Sequence, residues 1–156
     1  MQMNNKIAVI VSSFNSEITV NLYDGAISCL RNNNVPEMNI ETYWVPGSLE
    51  IPYLATKIAS SKQFDGIIAL GAVIRGETYH YELVSQNTYY GCMKVSVEHE
   101  IPITLGVIAA DNLKDAKARA QDIKADMKEE DSKTPLNYGY NAAQALINLL
   151  EIDINS

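Results

Sequence analysis

The chain has 156 residues, 47% of them hydrophobic, which is enough for one domain with a real core and too little for two. With 12 basic against 19 acidic residues the net charge is -7, so nucleic acid or an anionic membrane is repelled and a small substrate or a protein partner is favoured. No apolar stretch approaches the roughly 20 residues that span a bilayer, and Cys29 and Cys92, without metal-ligand spacing, read as core thiols of a reducing, cytoplasmic protein with no secretory leader.

"KIAVIV" (6–11) is a short β-rich run of the kind a strand shows when both faces are covered. Ile18, Leu22, Ala26, Cys29 and Leu30 then recur at helical spacing, and "RNNN" supplies the stop. "NIETYWV" (39–45) alternates as a strand. "VPGS" breaks it before a helix with Ile51, Leu54, Ala55, Ile58 and Ala59 on one face, where Pro52 fits only in the first turn. "FDGIIALGAVI" (64–74) is the third strand, and from Thr78 onward Tyr81, Val84, Thr88, Cys92 and Val95 mark the third helix. "IPITLGVIA" (101–109) is the fourth strand. It leads into the charged helical stretch "DNLKDAKARAQDIKADMKEED", then a long loop at "EEDSKTPLN" (129–137). A last helix buries Ala142, Ala143, Leu146, Leu149 and Leu150.

Strands separated by helices run parallel, with helices on both sheet faces. The expected fold is a single α/β domain over residues 1–156. It is a doubly wound four-stranded parallel sheet in a flavodoxin-like three-layer sandwich, strand order 2-1-3-4. In such sheets ligands bind beyond the carboxyl ends of the strands. Those ends carry "SSFN", "VPGSLE", "RGETYH" and "AADN".

"RGET" with His80 carries the most chemistry. The amides of Gly76, Glu77 and Thr78 at a helix start form an anion site, with Arg75 as a planar donor fork beside it and phosphate as the natural guest. His80 falls in the first helical turn, where the helix dipole opposes a positive charge, and a neutral imidazole can accept a proton. The plainer alternative is a strand-to-helix turn with Thr78 as N-cap and Arg75 in a surface ion pair. Glu50 either satisfies a helix dipole or accepts hydrogen bonds from a polyol. Phe14 either stacks on a planar heterocycle or staples the following helix, with Asn15 as its cap. Ser48 and Leu49 bring backbone amides to the next helix start. Arg119, among charges of both signs, reads as part of a solvated face. No dinucleotide or nucleotide-triphosphate loop and no metal-ligand pair is present in the sequence.

"SFN" (13–15), "VPGSLEIP" (45–52), "ALGAVIRGETYHYELV" (69–84), "IPITLGVIAADN" (101–112) and "ARA" (118–120) resemble, in order and spacing, the lumazine synthase family. The resemblance implies condensation of 5-amino-6-(D-ribitylamino)uracil with 3,4-dihydroxy-2-butanone 4-phosphate to 6,7-dimethyl-8-ribityllumazine, the penultimate step of riboflavin biosynthesis, with no metal and no cofactor. It implies that Phe14 stacks on the pyrimidine and that Asn15, Ser48, Leu49 and the Ala72, Val73 and Ile74 backbone hold its polar edges. Glu50 takes ribityl hydroxyls, the Gly76, Glu77 and Thr78 turn holds phosphate, and His80 moves protons. Sites of this family lie between adjacent subunits of a homopentamer or decamer, so Leu105 and the phosphate-clamping Arg119 come from the neighbour.

The sequence departs from that family in four places. Leu105 stands where phenylalanine is frequent, and Tyr138 replaces the lysine of the usual "NKG". The stretch from Gln121 to Leu136 is long and the N-terminus before Lys6 is short, which favours a pentamer or a pair of pentamers over a closed shell. An archaeal-type riboflavin synthase and an inactive lumazine- or flavin-binding paralogue are the alternative readings.

Overall fold

Four strands, Ile7–Ser12 (β1), Ile40–Val45 (β2), Gly66–Ile74 (β3) and Ile103–Ala110 (β4), pair in parallel in the order β2-β1-β3-β4. In this computed structural model residues 3–123 and 135–155 are described. The helices are Ser16–Asn32 (α1), Ile51–Ser61 (α2), His80–His99 (α3), Leu113–Ala118 (α4) and Tyr138–Leu150 (α5). The expected architecture and strand order are thus observed.

The two-residue period of each strand sorts its side chains between two apolar layers. Ile7, Val9, Val11, Ile68, Leu70 and Ile108 face a layer closed by α1 and α5, through Leu22, Ala26, Leu146 and Ile147. Ala8, Ile10, Ile67, Ala69 and Val107 face a second layer closed by α2 and α3, through Ile51, Ala55, Cys92 and Val95. Both thiols lie in these layers, as expected, and burial pushes Cys29 up to about 11 and Cys92 to about 12. Among the described residues no helix is long and apolar enough to cross a membrane.

Two expectations need correction. Among the described residues, the charged stretch after β4 is helical only through Ala118. Beyond it the Gln121 amide donates to the Leu136 carbonyl (3.0 Å) and the Tyr138 amide to the Arg119 carbonyl (2.9 Å). Buried Ala120 bridges Asn137. This bridge offers the backbone partners that compete with helix continuation. Residues 124–134, and with them most of the loop expected at 129–137, lie outside the described residues. On α5, Ile147 is buried in place of Leu149, which is 46% exposed. The buried face follows 142, 143, 146 and 147, and Leu149 falls on its flank.

The helices α1 and α5 touch through glycine. A β-carbon placed on Gly139 would lie 1.9 Å from the Leu22 carbonyl oxygen, a backbone atom that cannot rotate away. Gly139→Ala is therefore expected to cost about 3 kcal/mol or more of unfolding free energy, because the clash forces the helices apart. A denaturation midpoint equal to that of the parent chain would contradict this packing.

Candidate functional site

The site begins with a mismatch in strand length. Pairing between β1 and β3 ends at Val11 and Leu70, whereas pairing between β3 and β4 runs on to Ile74 and Ala110. Residues 71–74 therefore extend past β1 with a strand on one side only. The Ala72 carbonyl turns to the open side, where it accepts a hydrogen bond from Asn15 Nδ2 at 2.9 Å. Alternate residues of a strand face opposite neighbours, so the polar backbone groups of Ile74 turn the same way as those of Ala72, while the Arg75 amide turns to Ala110 on β4 (2.9 Å). An open strand edge of this kind presents donors and acceptors in the pattern that a planar amide-bearing ring can match.

The loops after β1 and β2 complete the walls. Ser13 and Phe14 amides donate to the Val45 and Pro46 carbonyls at 2.8 and 3.0 Å, tying the two loops together. Asn15 holds the N-cap position of α1 with φ 60°, but its side chain makes no capping bond. It is spent on Ala72 instead, so the expected cap is present in position and not in bonding. Phe14 is 69% exposed and lines the cleft, which removes the staple reading. Ser48, Leu49 and Glu50 form one 3-10 turn ahead of α2, with Pro52 in the first turn of that helix as expected. Glu50 Oε2 folds back over Gly47, where a β-carbon would stand 3.0 Å away.

Together these groups enclose a cleft of about 310 Å³ lined by Phe14, Ser48, Leu49, Glu50, Ala72, Val73, Ile74 and His80. Pro46, Gly47 and Val84 also line it and were not among the expected site residues. The rigid turn in "VPGS" is a signal for the first two, while Val84 reads from sequence as ordinary helix core.

The turn before α3 differs from expectation in three details. Helix α3 starts at His80, with Tyr79 rather than Thr78 at the cap position, and Thr78 Oγ1 accepts weakly from the His80 amide at 3.3 Å. Gly76 does not have a positive φ, and a β-carbon on it would meet nothing within 4 Å. Neither a left-handed backbone nor crowding within the chain therefore requires glycine at this position. Arg75 is not a free donor fork. Its Nε donates to Asp111 Oδ1 at 2.9 Å, its Nη1 pairs with Glu82 Oε1, and its guanidinium lies 4.3 Å from the centre of the Tyr81 ring. The surface ion pair was the right reading. It joins the ends of β3 and β4 to the first turn of α3 and so fixes both ends of the exposed turn that carries Gly76, Glu77 and Thr78 to His80.

Leu105 and Arg119 do not line this cleft. Leu105 sits on edge strand β4, in one groove with Tyr138 and in another beside Tyr90 and Met93 of α3. Arg119 follows α4, half-buried, with Nη1 donating to the Asp115 carbonyl at 2.8 Å. Among the described residues no group of three or more His, Cys, Asp or Glu side chains could hold a metal ion.

Glu82 makes the turn sensitive to acid. Its own backbone amide, and then the Arg75 guanidinium, hold its carboxyl below the usual glutamate value. A depressed folded-state value contributes stability that is present above the unfolded value and is lost as pH falls through the folded one. Denaturant midpoints measured from about pH 5 down to about pH 3 should fall less steeply for Glu82→Gln than for the parent chain. Parallel acid limbs would show that the pair contributes nothing to the fold.

A sequence model of the 6,7-dimethyl-8-ribityllumazine synthase family matches residues 4–153. The 6,7-dimethyl-8-ribityllumazine synthase of Kosmotoga olearia is 44% identical over 115 residues, 74% of each chain. That of Coxiella burnetii is 45% identical over 115 residues, covering 74% of this chain and 76% of the relative. By this match along nearly its whole length, and with the parallel sheet in the order the motifs predict, the chain belongs to the 6,7-dimethyl-8-ribityllumazine synthase family.

Proposed function

We propose that the whole chain, residues 1–156, acts as one catalytic domain in the cytoplasm. It condenses 5-amino-6-(D-ribitylamino)uracil with 3,4-dihydroxy-2-butanone 4-phosphate to 6,7-dimethyl-8-ribityllumazine, releasing phosphate and water. The observation that carries this reading is the open edge of β3 facing an exposed aromatic ring, with His80, in one cleft. A flat uracil fits that arrangement. Phe14 stacks on its face and Val73 lines the cleft beside it, while the Ala72 and Ile74 backbone on the open edge, the Ser48 and Leu49 amides and Asn15 Oδ1 meet its polar edges. Glu50, exposed at the cleft, accepts hydroxyls of the ribityl chain.

The turn amides of Gly76, Glu77 and Thr78 lie just before His80, so a phosphate held there places the attached ketone close to the imidazole. His80 takes and returns protons as the amine adds to the carbonyl, as phosphate leaves and as the ring closes. Holding amine and ketone together supplies much of the rate without metal or organic cofactor, since a bound pair reacts as if at very high local concentration.

One chain holds only part of this site. Leu105 and Arg119 act from an adjacent subunit, Leu105 against the pyrimidine and Arg119 on the phosphate, in a homopentamer or a pair of pentamers. The outward face of α3 supports such assembly. Leu83, Tyr90, Met93 and Val97 recur along it at helical spacing, and all four are exposed in the isolated chain. The groove beside them contains Leu105.

Incubating the purified protein with both precursors should produce lumazine fluorescence, and supplying the lumazine alone should yield no riboflavin. His80→Ala should lower kcat by about a hundredfold, toward the low end for proton transfer because substrate proximity survives the change. Riboflavin formed from lumazine alone would identify a riboflavin synthase, and undiminished turnover by His80→Ala would remove the histidine from the mechanism.

A further inference from the structure

We propose that Asn137 is a positioning residue that sets Arg119 for the phosphate of the neighbouring subunit's site, an inference that rests on the reading of Arg119 given above. Asn137 is a polar residue only 1% exposed, and its side chain is fully used. Nδ2 donates to the Asn21 carbonyl and to the Gln121 carbonyl, each at 2.9 Å. Oδ1 accepts from the Tyr140 amide at 3.0 Å and so caps α5. One amide thus joins α1, α5 and the strand-like segment that carries Arg119.

The backbone around it closes the same joint. Ala120 and Asn137 form an antiparallel bridge, flanked by the Tyr138 amide on the Arg119 carbonyl (2.9 Å) and the Gln121 amide on the Leu136 carbonyl (3.0 Å). From the other side Asn21 Nδ2 donates to the Ala120 carbonyl at 3.2 Å. The chain leaves this neck at Gln121 and returns to it at Leu136. Helix α4 alone could not fix Arg119, because six residues give fewer than two turns, and among the described residues the one side-chain bond from Arg119 goes back to the Asp115 carbonyl of that helix.

Sequence cost marks the joint as built for a purpose. Gly25 lies within the unbroken helix α1 against the amide, and a β-carbon there would stand 2.2 Å from Asn137 Oδ1. Glycine inside a helix is unfavourable, and here it makes room for one side chain. Arg119, unlike Arg75, forms no ion pair among the described residues. Its backbone is held by the bonds of the neck, and its guanidinium donates to the Asp115 carbonyl.

The test compares Arg119→Ala, Asn137→Asp and their double variant in the full chain, with the two substrates varied separately. Asn137→Asp keeps size and the α5 cap but turns a carboxylate oxygen toward two carbonyls. It should raise KM for the phosphorylated ketone on the order of tenfold and leave KM for the pyrimidine unchanged. In the Arg119→Ala background it should add nothing. If Asn137→Asp melts below the assay temperature, Asn21→Ala is read in its place; it removes only the bond to Ala120 and should raise the same KM by a smaller factor. No effect of Arg119→Ala on that KM would overturn the reading of Arg119 and the proposal with it. A raised KM in Arg119→Ala, with Asn137→Asp or Asn21→Ala unchanged, or with both KM values raised alike, would overturn the proposal and leave that reading standing.

Discussion

The site depends on β3 being longer than β1. Where β1 stops at Ser12, β3 continues through Ile74 with β4 as its only partner, and the other edge of its backbone is left to loops and ligand. Unpaired peptide groups next to an apolar core are costly, roughly 1–3 kcal/mol each when shut away from water. The fold meets one of them with Asn15, held at positive φ so that its amide reaches Ala72. Those that remain define a cleft whose floor is rigid sheet and whose walls are short loops cross-linked by the Ser13 and Phe14 amides. On the proposed function, a planar substrate would complete the ladder that the missing strand leaves open.

Arg75 and Arg119 are used in opposite ways. Arg75 is committed within the chain to Asp111 and Glu82, where it fixes the turn leading to His80. Arg119 is kept free of carboxylates among the described residues and held by its backbone at a neck built around Asn137. Each arrangement follows from a local rule. An exposed pair gains little in stability but restricts geometry, and a buried amide with all its bonds made is a firm joint. On the proposed function one chain carries two half-sites: the cleft with His80 at the ends of β1, β2 and β3, and, apart from it, Arg119 after α4 with Leu105 on β4.

Much of this was legible in the sequence. Covered strands show as β-rich runs, and "RGETYH" places amides and an imidazole at a strand end, as the structure does. Register was not legible, so the overhang of β3 and the open side of Ala72 emerge only from pairing. Partners distant in sequence were also hidden: nothing local to Arg75 points to Asp111. Composition misled where the charged stretch favoured a long helix, because the competing bridge to Leu136 and Tyr138 lies across the connection. Asn137 gave no signal of its own, although the glycine in the middle of α1 is the mark of something packed against it.

Division of the site between subunits is the central claim, and subunit mixing tests it most directly. His80→Ala protein retains Arg119, and Arg119→Ala protein retains His80, so each homogeneous assembly lacks one half of every site. After dissociation and joint reassembly in equal amounts, about a quarter of the sites should pair an intact cleft with an intact arginine, and lumazine formation should return to about that fraction of the parent rate. A mixture no more active than the sum of its two components would contradict the claim and return Arg119 to the solvated face from which it was taken.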